Sequence, residues 1–366
     1  MEMDNMYKLF SIAEKYNEIV VWGYGNRGKT VLYQLEKNLP HKSLYVCDRE
    51  PCSDSKHTVL LPEEAYKLYP KALFVVGSYL FRQSIIAEMQ SLGIPDDNIL
   101  SGFNIFLPKK RLNNLDYHLT EHCILNCASC SHFSNLAEVE FADFDTFERD
   151  VKQIAKIFNK DIYNFNLLGG EPLLHPDIEK FIIAARSILP QSRIHIITNG
   201  VLLPKMPDHF WVTCQSHKIE IAMTKFPVKI NMTVIEEKAK EFNVLMEYKE
   251  NPGFWTKPVL NLSGTCNSKE SFLNCMEGTD CSRIYKGRWY PCTIIGNAEH
   301  FNKKFGTNLV HTDEDSLDIY AIENSQEVLN WLSEPKPFCR YCDMENWQSQ
   351  EWHVSNKSIE EYLSSG

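Results

Sequence analysis

Nine of the twelve cysteines in this chain of 366 residues are confined to two stretches of the sequence. They are Cys123, Cys127 and Cys130 in the first stretch, and Cys266, Cys275, Cys281, Cys292, Cys339 and Cys342 in the second. Clustered cysteines predict disulfides in short secreted chains, but this chain is long and residues 1–4 begin no secretory signal. We therefore interpret both groups as metal ligands and expect a cytoplasmic protein.

The composition excludes several classes of protein. With 43% hydrophobic, 12% aromatic and 23% charged residues, the chain has the values of a globular protein rather than of a disordered or collagen-like one. Its net charge of −10 disfavours general binding to nucleic acids or anionic membranes, because both require a cationic surface. The longest apolar stretch, residues 72–81, has about half the length of a transmembrane helix. We expect neither a nucleic acid nor a membrane as partner.

Strand and helix patterns alternate in the first hundred residues. The predicted strands are 18–22, 44–47 and 73–76, and the predicted helices are 29–37 and a second one that extends to residue 90. Such alternation predicts a parallel sheet with crossover helices, which is a Rossmann-like arrangement. Residues 106–114 contain Pro108 and a basic cluster and are typical of a linker between domains.

The alternation starts again at residue 115. The predicted strands are 115–119, 163–168, 193–197, 219–223, 244–248 and 259–262, and the predicted helices are 144–158, 177–188 and 235–242. Six strands with interposed helices predict an α/β fold in which a partial (β/α)6 parallel barrel forms the core. We expect four parts, which are a Rossmann-like domain at 1–107, the barrel core at 108–264, a small cysteine-rich cap with little helix at 265–350 and a tail at 351–366.

The first cysteine group has the spacing C-x3-C-x2-C and follows a predicted strand directly. This spacing lets three thiolates from one loop bind a single iron–sulfur cluster. Three ligands leave one iron of a cubane without a protein ligand, and an open coordination position is typical of a catalytic metal. The alternative is a structural zinc site with His122 or His132 as the fourth ligand.

Two further motifs follow the next predicted strands. Gly169-Gly170-Glu171-Pro172 ends one strand and Thr198-Asn199-Gly200 ends the next. The carboxyl ends of parallel strands form one rim, where α/β barrels bind their ligands. The two glycines allow a ligand to approach the backbone, and Glu171 can accept hydrogen bonds from an ammonium group. Taken singly, the motifs could equally be a tight turn and a helix cap.

The cysteine triad and these two motifs together resemble the radical S-adenosylmethionine superfamily over about residues 115–264. The resemblance implies a four-iron–four-sulfur cluster on Cys123, Cys127 and Cys130, with S-adenosylmethionine on the open iron. It implies that Glu171 and the backbone of Gly169 and Gly170 hold the amino group of S-adenosylmethionine, and that Thr198 and Asn199 lie near its ribose or carboxylate. It further implies that one electron from the cluster cleaves the sulfonium and that the resulting 5′-deoxyadenosyl radical abstracts a hydrogen atom from the substrate.

One position departs from the pattern of this superfamily. Many members carry an aromatic residue directly before the third cysteine, where it packs on the adenine, and this chain has Ser129 there. Phe133 and His132 are the candidates to replace that contact.

The second cysteine group surrounds a predicted hairpin at 282–291, whose turn is Lys286-Gly287. Its spacing resembles the SPASM and twitch caps of radical S-adenosylmethionine enzymes. The resemblance implies one auxiliary four-iron–four-sulfur cluster, as in the shorter twitch form, for electron transfer or for stabilisation of the cap; zinc is again the alternative. The expected ligands are Cys292, Cys339, Cys342 and one of Cys275 and Cys281, with Cys266 as a weaker candidate.

A glycine motif lies in the N-terminal part. Gly23, Gly25 and Gly28 match G-x-G-x-x-G between a strand and a helix, and Asp48 ends the next strand. This pattern predicts a dinucleotide-binding turn with Asp48 on a ribose hydroxyl. The same stretch also matches a phosphate-binding G-x4-G-K-T loop through Lys29 and Thr30. A Rossmann-like unit is favoured because only about a hundred residues are available.

These observations lead to three hypotheses. The first is a radical S-adenosylmethionine oxidoreductase that acts on a small substrate, namely a sugar, a cyclitol or a nucleotide-linked sugar, with a flavodoxin- or ferredoxin-type electron donor. The second keeps the chemistry but has a ribosomal peptide or protein as substrate. The third is a non-catalytic zinc protein that binds a nucleotide or serves as a scaffold.

Overall fold

The computed structural model describes residues 7–50, 57–78, 81–101, 111–250, 254–257, 259–275, 281–344, 346 and 348–363. The chain divides into two compact units, Met1–Leu107 and Pro108–Gly366. Among the described residues, no helix is both long enough and apolar enough to cross a lipid bilayer.

The first unit contains a five-stranded parallel sheet in the order β3-β2-β1-β4-β5. The strands are β1 (Glu18–Trp22), β2 (Ser43–Cys47), β3 (Val59–Leu60), β4 (Leu73–Val76) and β5 (Ile99–Leu100). The α-helices are α1 (Tyr7–Ala13), α2 (Asn26–Asn38), α3 (Pro62–Leu68) and α4 (Arg82–Ser91), and a 3-10 helix covers Asp96–Asn98. The three predicted strands are confirmed, and β3 and β5 are short additions at the two edges.

Both faces of this sheet are covered by helices. Along β1, Ile19 and Val21 pack into an apolar cluster with side chains of α1 and α2. Val20 and Trp22 point the other way and pack into a second cluster with side chains of α3 and α4. Alternate residues of a strand face opposite sides of the sheet. A strand in a parallel sheet that is covered by helices on both faces therefore needs an almost uninterrupted run of apolar residues. The sequence of β1 has this run.

The second unit is built on an eight-stranded sheet in the order β10-β9-β8-β7-β6-β12-β13-β14. Its strands are β6 (Leu112–Thr120), β7 (Ile162–Gly169), β8 (Arg193–Thr198), β9 (Ile219–Lys225), β10 (Leu245–Glu250), β12 (Arg283–Tyr285), β13 (Arg288–Tyr290) and β14 (Leu317–Asp318). A separate antiparallel pair joins β11 (Phe254–Lys257) to β15 (Gln348–Glu351). The strands from β6 to β10 are parallel, and β12 is parallel to β6 on its other side, whereas β13 and β14 are antiparallel.

The helices of this unit are α5 (Phe144–Ile157), α6 (Ile178–Ile188), α7 (Asp208–Ser216), α8 (Met232–Glu241), α9 (Ser268–Leu273), α10 (Thr293–Phe305) and α11 (Ser325–Leu332). Short 3-10 helices cover Pro172–Leu174, Leu203–Lys205, Asp313–Asp315, Pro337–Tyr341 and Ile359–Tyr362. Helix α5 begins after Asp143, whose carboxylate accepts a hydrogen bond from the Thr146 amide at 2.9 Å. The α/β class with six parallel strands is confirmed.

The sixth parallel strand is not the predicted one. The strand predicted at 259–262 is wrong, since Leu260 makes only isolated bridges with Cys342 and Leu363. The sixth place is taken by β12, the first strand of the predicted hairpin, which pairs with β6 through Arg283 and Ile284. The local β-propensity at 259–262 therefore did not determine the sixth strand. That strand is set by a pairing between residues about 165 positions apart, which depends on tertiary packing alone.

The cysteine-rich region contains more helix than its sequence indicates. Helices α10 and α11 lie in the stretch where we expected little helix, so that expectation is wrong. Ile295, Ala298 and Phe301 of α10 pack with Phe133 and Tyr362 in an apolar cluster of their own. Helix α10 was missed because its apolar residues are interrupted by Gly296 and Asn297, which weaken the helical pattern.

Candidate functional site

A cavity of about 210 Å3 lies at the carboxyl ends of the parallel strands of the second unit. All three cysteines of the first group line it, together with Gly169, Gly170, Thr198 and Asn199 from the two later motifs. The remaining lining residues are Leu125, Ser131, His132, Ser134, Asn135, Leu168, Ile197, Thr224 and Phe226. The motifs that follow β6, β7 and β8 are therefore brought to one place, because neighbouring parallel strands end at the same edge of the sheet.

The two glycines allow the loop after β7 to lie against the loop after β6. Gly169 has a φ of 138°, and a Cβ atom at that position would lie 2.1 Å from the carbonyl oxygen of Thr120. At Gly170, a Cβ atom would lie 2.0 Å from the carbonyl oxygen of His122 and 2.9 Å from the amide nitrogen of Cys123. Any side chain at Gly170 would displace the backbone that carries the first cysteine.

Glu171 is completely buried, and both of its carboxylate oxygens are hydrogen-bonded. The Thr198 hydroxyl donates to Oε1 at 2.7 Å, the Leu173 amide donates to Oε1 at 3.1 Å, and the Asn199 amide donates to Oε2 at 3.0 Å. Burial raises the pKa of the Glu171 carboxyl to about 7, although these three donors favour the ionised form. The carboxylate thus holds the ends of β7 and β8 together immediately beside the cavity.

Asn199 links this arrangement to the cysteines. Its side-chain amide donates to Cys123 Sγ at 3.6 Å, and its Oδ1 accepts from the Val201 amide at 3.0 Å. The Leu125 amide also donates to Cys123 Sγ, at 3.5 Å. Two N–H groups therefore point at one sulfur, which is the environment that stabilises a thiolate.

The donor set fits an iron–sulfur cluster. Burial raises the pKa of the Cys123 thiol to about 12 and that of the Cys127 thiol to about 11. Such thiols become thiolates only beside a strong positive charge, which bound iron supplies. Three cysteines from one loop on a common cavity, with two N–H groups directed at Cys123 Sγ, are a donor set that suits an iron–sulfur cluster.

The structure separates the two candidates for the adenine contact. Phe133 is fully buried in the cluster around α10 and does not line the cavity. His132 lines the cavity, donates a hydrogen bond from Nδ1 to the carbonyl oxygen of Gly169 at 3.2 Å, and stacks on His118 with ring centroids 5.0 Å apart. Phe226 is a second aromatic residue on the cavity wall. Phe226 was not predicted from the sequence, although its position directly after β9 was a usable signal.

Ser129 faces away from the cavity. Its side chain is fully buried, its hydroxyl donates to the carbonyl oxygen of Glu361, and the Gln350 side-chain amide donates to it at 2.9 Å. A bulky aromatic residue has no room there, because the C-terminal residues of the chain pack directly against this side chain. The departure from the superfamily pattern therefore has a structural cause.

Part of the second cysteine group is brought together around α9. This helix lies against Pro337–Tyr341, the Ser271 hydroxyl donates to the Cys342 carbonyl at 2.6 Å, and the Cys266 amide donates to the Arg340 carbonyl at 3.1 Å. Burial raises the pKa of the Cys339 thiol to about 11. Cys292 is buried at the start of α10. Cys275 and Cys281 border residues 276–280, which lie outside the described residues.

In the first unit, the glycine motif forms the turn between β1 and α2. Gly23 has a φ of 105°, and a Cβ atom at Gly28 would lie 1.7 Å from the Gly23 carbonyl oxygen. At Gly25, no atom of the residues that the structure describes lies within 4 Å of a Cβ position. Asp48 accepts hydrogen bonds from the amides of Tyr24 at 2.6 Å and Glu50 at 3.1 Å, so its carboxylate already binds the glycine turn.

Comparison with known proteins supports the interpretation of the first cysteine group as ligands of an iron–sulfur cluster. Residues 117–211 match the family model of the radical SAM superfamily. Molybdenum cofactor biosynthesis protein 1 of Bos taurus is 33% identical over 89 residues, which are 24% of this chain and 14% of the relative. GTP 3′,8-cyclase of Geobacter sulfurreducens is 30% identical over 98 residues, which are 26% of this chain and 30% of the relative. The chain thus spans less than a third of the length of these two relatives.

Two solved structures are also similar to this chain. BtrN in complex with AdoMet and 2-DOIA is 15% identical with a TM-score of 0.43, and the match covers 64% of this chain and 94% of BtrN. Streptococcus suis SuiB bound to precursor peptide SuiA is 13% identical with a TM-score of 0.33, and the match covers 82% of this chain and 76% of SuiB. A four-iron–four-sulfur cluster and S-adenosylmethionine are the cofactors of the matched superfamily, so these two predicted cofactors are confirmed.

Proposed function

We propose that this chain, whose residues 117–211 match the radical SAM family model, is an enzyme that oxidises a sugar, a cyclitol or a nucleotide-linked sugar after hydrogen abstraction. The observation that carries the proposal is the convergence of Cys123, Cys127 and Cys130 with Gly170 and Asn199 on one cavity. Bound cluster and S-adenosylmethionine would supply a 5′-deoxyadenosyl radical there.

Each lining group has a role in this proposal. The three cysteine thiolates hold the cluster, and Gly169 and Gly170 let S-adenosylmethionine approach the backbone. Glu171 is buried behind the lining, where it fixes Thr198 and Asn199 through the hydrogen bonds described above, and its negative charge attracts the amino group of S-adenosylmethionine. His132 and Phe226 offer ring surfaces to the adenine. The apolar wall of Leu168 and Ile197 excludes water from the radical.

The oxidation balances with the second cysteine group as electron acceptor. Bound S-adenosylmethionine, reduced by one electron, would supply methionine and the radical, and the substrate would give up a hydrogen atom from a carbon that bears a hydroxyl. The substrate radical then loses a proton and one electron to form a carbonyl group. We assign that electron to an auxiliary cluster on Cys292, Cys339, Cys342 and one of Cys275 and Cys281.

The first unit supports a small substrate. Its parallel sheet has the order 3-2-1-4-5, which is that of dinucleotide-binding folds, and none of the described residues fills the space beside Gly25. A nucleotide-linked sugar has a diphosphate that could bind beside this glycine turn. Since Asp48 already accepts the Tyr24 amide, its contact with a ribose hydroxyl would have to use a remaining lone pair.

The first experiment tests the radical chemistry. The chain is reconstituted without oxygen and incubated with dithionite and S-adenosylmethionine, and 5′-deoxyadenosine is quantified by mass spectrometry. We expect its formation by the natural chain and its loss in Cys127→Ala. Cys214→Ala, which alters a buried cysteine of α7 away from the cavity lining, is the matched control and should retain it. Protein with intact clusters that forms no 5′-deoxyadenosine would refute the proposal.

The second experiment tests the substrate class. We measure how much each candidate substrate increases 5′-deoxyadenosine formation. The candidates are free hexoses, aminocyclitols, nucleoside diphosphate hexoses and, for comparison, peptides encoded beside the gene. We expect one of the sugar or cyclitol compounds to lose two hydrogen atoms, seen as a mass decrease of about 2 Da, in step with 5′-deoxyadenosine. Modification of a peptide without any sugar oxidation would contradict the proposed substrate class.

A further inference from the structure

The C-terminal segment, residues 348–363, packs along the cysteine loop, residues 121–136. Main-chain hydrogen bonds connect the Ala128 amide to the His353 carbonyl at 3.0 Å and the Ser355 amide to the Asn126 carbonyl at 2.8 Å. Cys127 itself forms an antiparallel bridge with Val354. The backbone that carries the first cysteine group is therefore shaped by residues more than 220 positions later in the sequence.

Side chains strengthen the same contact. The Asn126 side-chain amide donates to the Ser355 carbonyl at 2.9 Å, and the Asn135 amide donates to the Ser355 hydroxyl at 3.0 Å. The Tyr362 hydroxyl donates to Asn135 Oδ1 at 2.9 Å. Asn135, Ser355 and Tyr362 are all buried, so these hydrogen bonds are formed away from bulk water, where losing one leaves a polar group unsatisfied.

One side chain of this segment contacts a cysteine sulfur directly. The indole Nε1–H of Trp352 donates a hydrogen bond to Cys127 Sγ, with 3.1 Å between nitrogen and sulfur. The indole ring also packs at an angle against Phe226, with ring centroids 6.1 Å apart, and Phe226 lines the cavity. The ring is thus held from one side while its N–H points at the thiol.

A hydrogen bond to a ligand sulfur changes the energetics of an iron–sulfur cluster. Reduction adds one negative charge, part of which lies on the cysteine sulfurs, and an N–H dipole stabilises that charge more in the reduced cluster than in the oxidised one. The effect is large in surroundings of low dielectric constant, which the burial of Cys127 provides. The indole N–H therefore favours the reduced cluster.

We propose that Trp352 raises the reduction potential of the cluster on Cys123, Cys127 and Cys130 through its hydrogen bond to Cys127. The inference rests on the proposed function in that it needs a cluster on these cysteines. Trp352 acts through Cys127 and is a positioning residue of the cluster, and the C-terminal segment has a role in electron uptake in addition to covering the cysteine loop.

The test compares Trp352→Phe with Trp331→Phe in the full-length reconstituted protein. Phe keeps a ring against Phe226 but has no N–H to donate. Trp331 donates its indole N–H to the Glu314 carbonyl at 3.0 Å, so the control loses an equivalent hydrogen bond that does not involve a cysteine. The readout is an electrochemical titration followed by electron paramagnetic resonance, and the relevant cluster is the one whose spectrum changes when S-adenosylmethionine is added.

In Trp352→Phe we expect a tenfold lower ratio of reduced to oxidised cluster at a fixed ambient potential, which is a shift of about 59 mV to more negative potential for one electron. Trp331→Phe should keep the natural potential. An unchanged potential in Trp352→Phe with full iron content would refute the role of Trp352. A natural chain without any cluster responsive to S-adenosylmethionine would instead refute the proposed function.

Discussion

Arg283 and Glu121 form a buried ion pair in which the guanidinium donates to both carboxylate oxygens, at 2.8 Å from Nη2 and 3.3 Å from Nη1. Arg283 has no exposed surface. Glu121 directly follows β6, and Arg283 begins β12, so the pair fixes the sixth parallel strand beside the first cysteine group. His300 of α10 also contacts Glu121, at 3.2 Å, which connects the cysteine-rich region to the same carboxylate.

Glu121→Gln should destabilise the second unit strongly. The substitution leaves the buried guanidinium without its counter-ion, which costs about 3–5 kcal/mol. The free energy of unfolding in urea measures this loss. Glu220→Gln is the matched control, since Glu220 pairs with Arg193, whose side chain is 43% exposed, and we expect a loss of about 0–1 kcal/mol there. Equal losses in the two variants would contradict the importance of the buried pair.

The same pair gives a pH dependence of stability. Burial tends to raise the pKa of the Glu121 carboxyl, but Arg283 and His118 outweigh it and hold the pKa well below the ordinary value of 4.5. A depressed pKa in the folded state stabilises the fold above the pKa of the unfolded state, and this contribution is lost as the pH falls below about 4.5. We expect the natural chain to lose more stability than Glu121→Gln between pH 5 and pH 3, measured by urea unfolding at each pH. An equal loss of unfolding free energy in the two proteins over this pH range would contradict this expectation.

Glu171→Gln should weaken the binding of S-adenosylmethionine at least about tenfold while the iron content stays normal. In the variant, the side-chain NH2 group replaces an oxygen that accepts hydrogen bonds, so a donor faces the N–H or hydroxyl donors of its partners. Each hydrogen bond lost in this way in a buried site costs about 1–3 kcal/mol. Equilibrium binding without oxygen measures the effect, and the control is Glu179→Gln, which changes a carboxylate that accepts from the Thr213 hydroxyl and does not line the cavity. Because burial raises the pKa of Glu171 to about 7, binding to the natural chain should weaken as the pH falls below about 7. The Glu171→Gln variant should show no such dependence.

Gly170→Ala should prevent normal loading of the first cluster. Its Cβ atom would overlap the backbone at His122 and Cys123, so the cysteine loop must shift. We expect lower iron and sulfide contents after reconstitution. Gly25→Ala, which adds a Cβ atom that meets none of the described residues, should load iron as the natural chain does. If Gly170→Ala binds the full amount of iron, the close contact between the loops after β7 and β6 is not needed for cluster binding.

Ser129→Tyr should loosen the C-terminal segment. The serine is buried beneath Gln350 and Glu361, and overpacking at such a position costs about 1–3 kcal/mol. Limited proteolysis of the cluster-loaded protein should show faster cleavage within residues 348–363. Ser129→Ala loses the hydroxyl without adding volume and should be cleaved much more slowly than Ser129→Tyr. A tyrosine variant as resistant as the natural chain would contradict this packing.

Cys339→Ala should lower the iron content from about eight to about four per chain, since it removes an expected ligand of the auxiliary cluster and leaves the first cluster intact. Iron, zinc and sulfide analysis of the reconstituted protein measures this. Cys214→Ala should keep the full iron content. Zinc in place of iron, lost from Cys339→Ala, would instead identify the second group as a zinc site.

The sequence alone determined the features that depend on local order. The alternation of strands and helices in both units, the hairpin turn at Lys286-Gly287 and the cysteine triad after β6 all follow from short-range patterns, because hydrophobic period and turn chemistry are properties of neighbouring residues. The position of the cavity also followed from the sequence, since parallel strands necessarily end at one edge of their sheet.

The tertiary structure decided the features that depend on distant residues. Pairing of β12 with β6, burial of Ser129 under Glu361 and the hydrogen bond from Trp352 to Cys127 join segments that are 160 or more positions apart. No local pattern encodes such contacts, because their free energy comes from packing and hydrogen bonds that form only once the chain has folded. The motif residues that line the cavity were therefore predicted from the sequence, whereas Phe226 and the residues that support and tune the site were not.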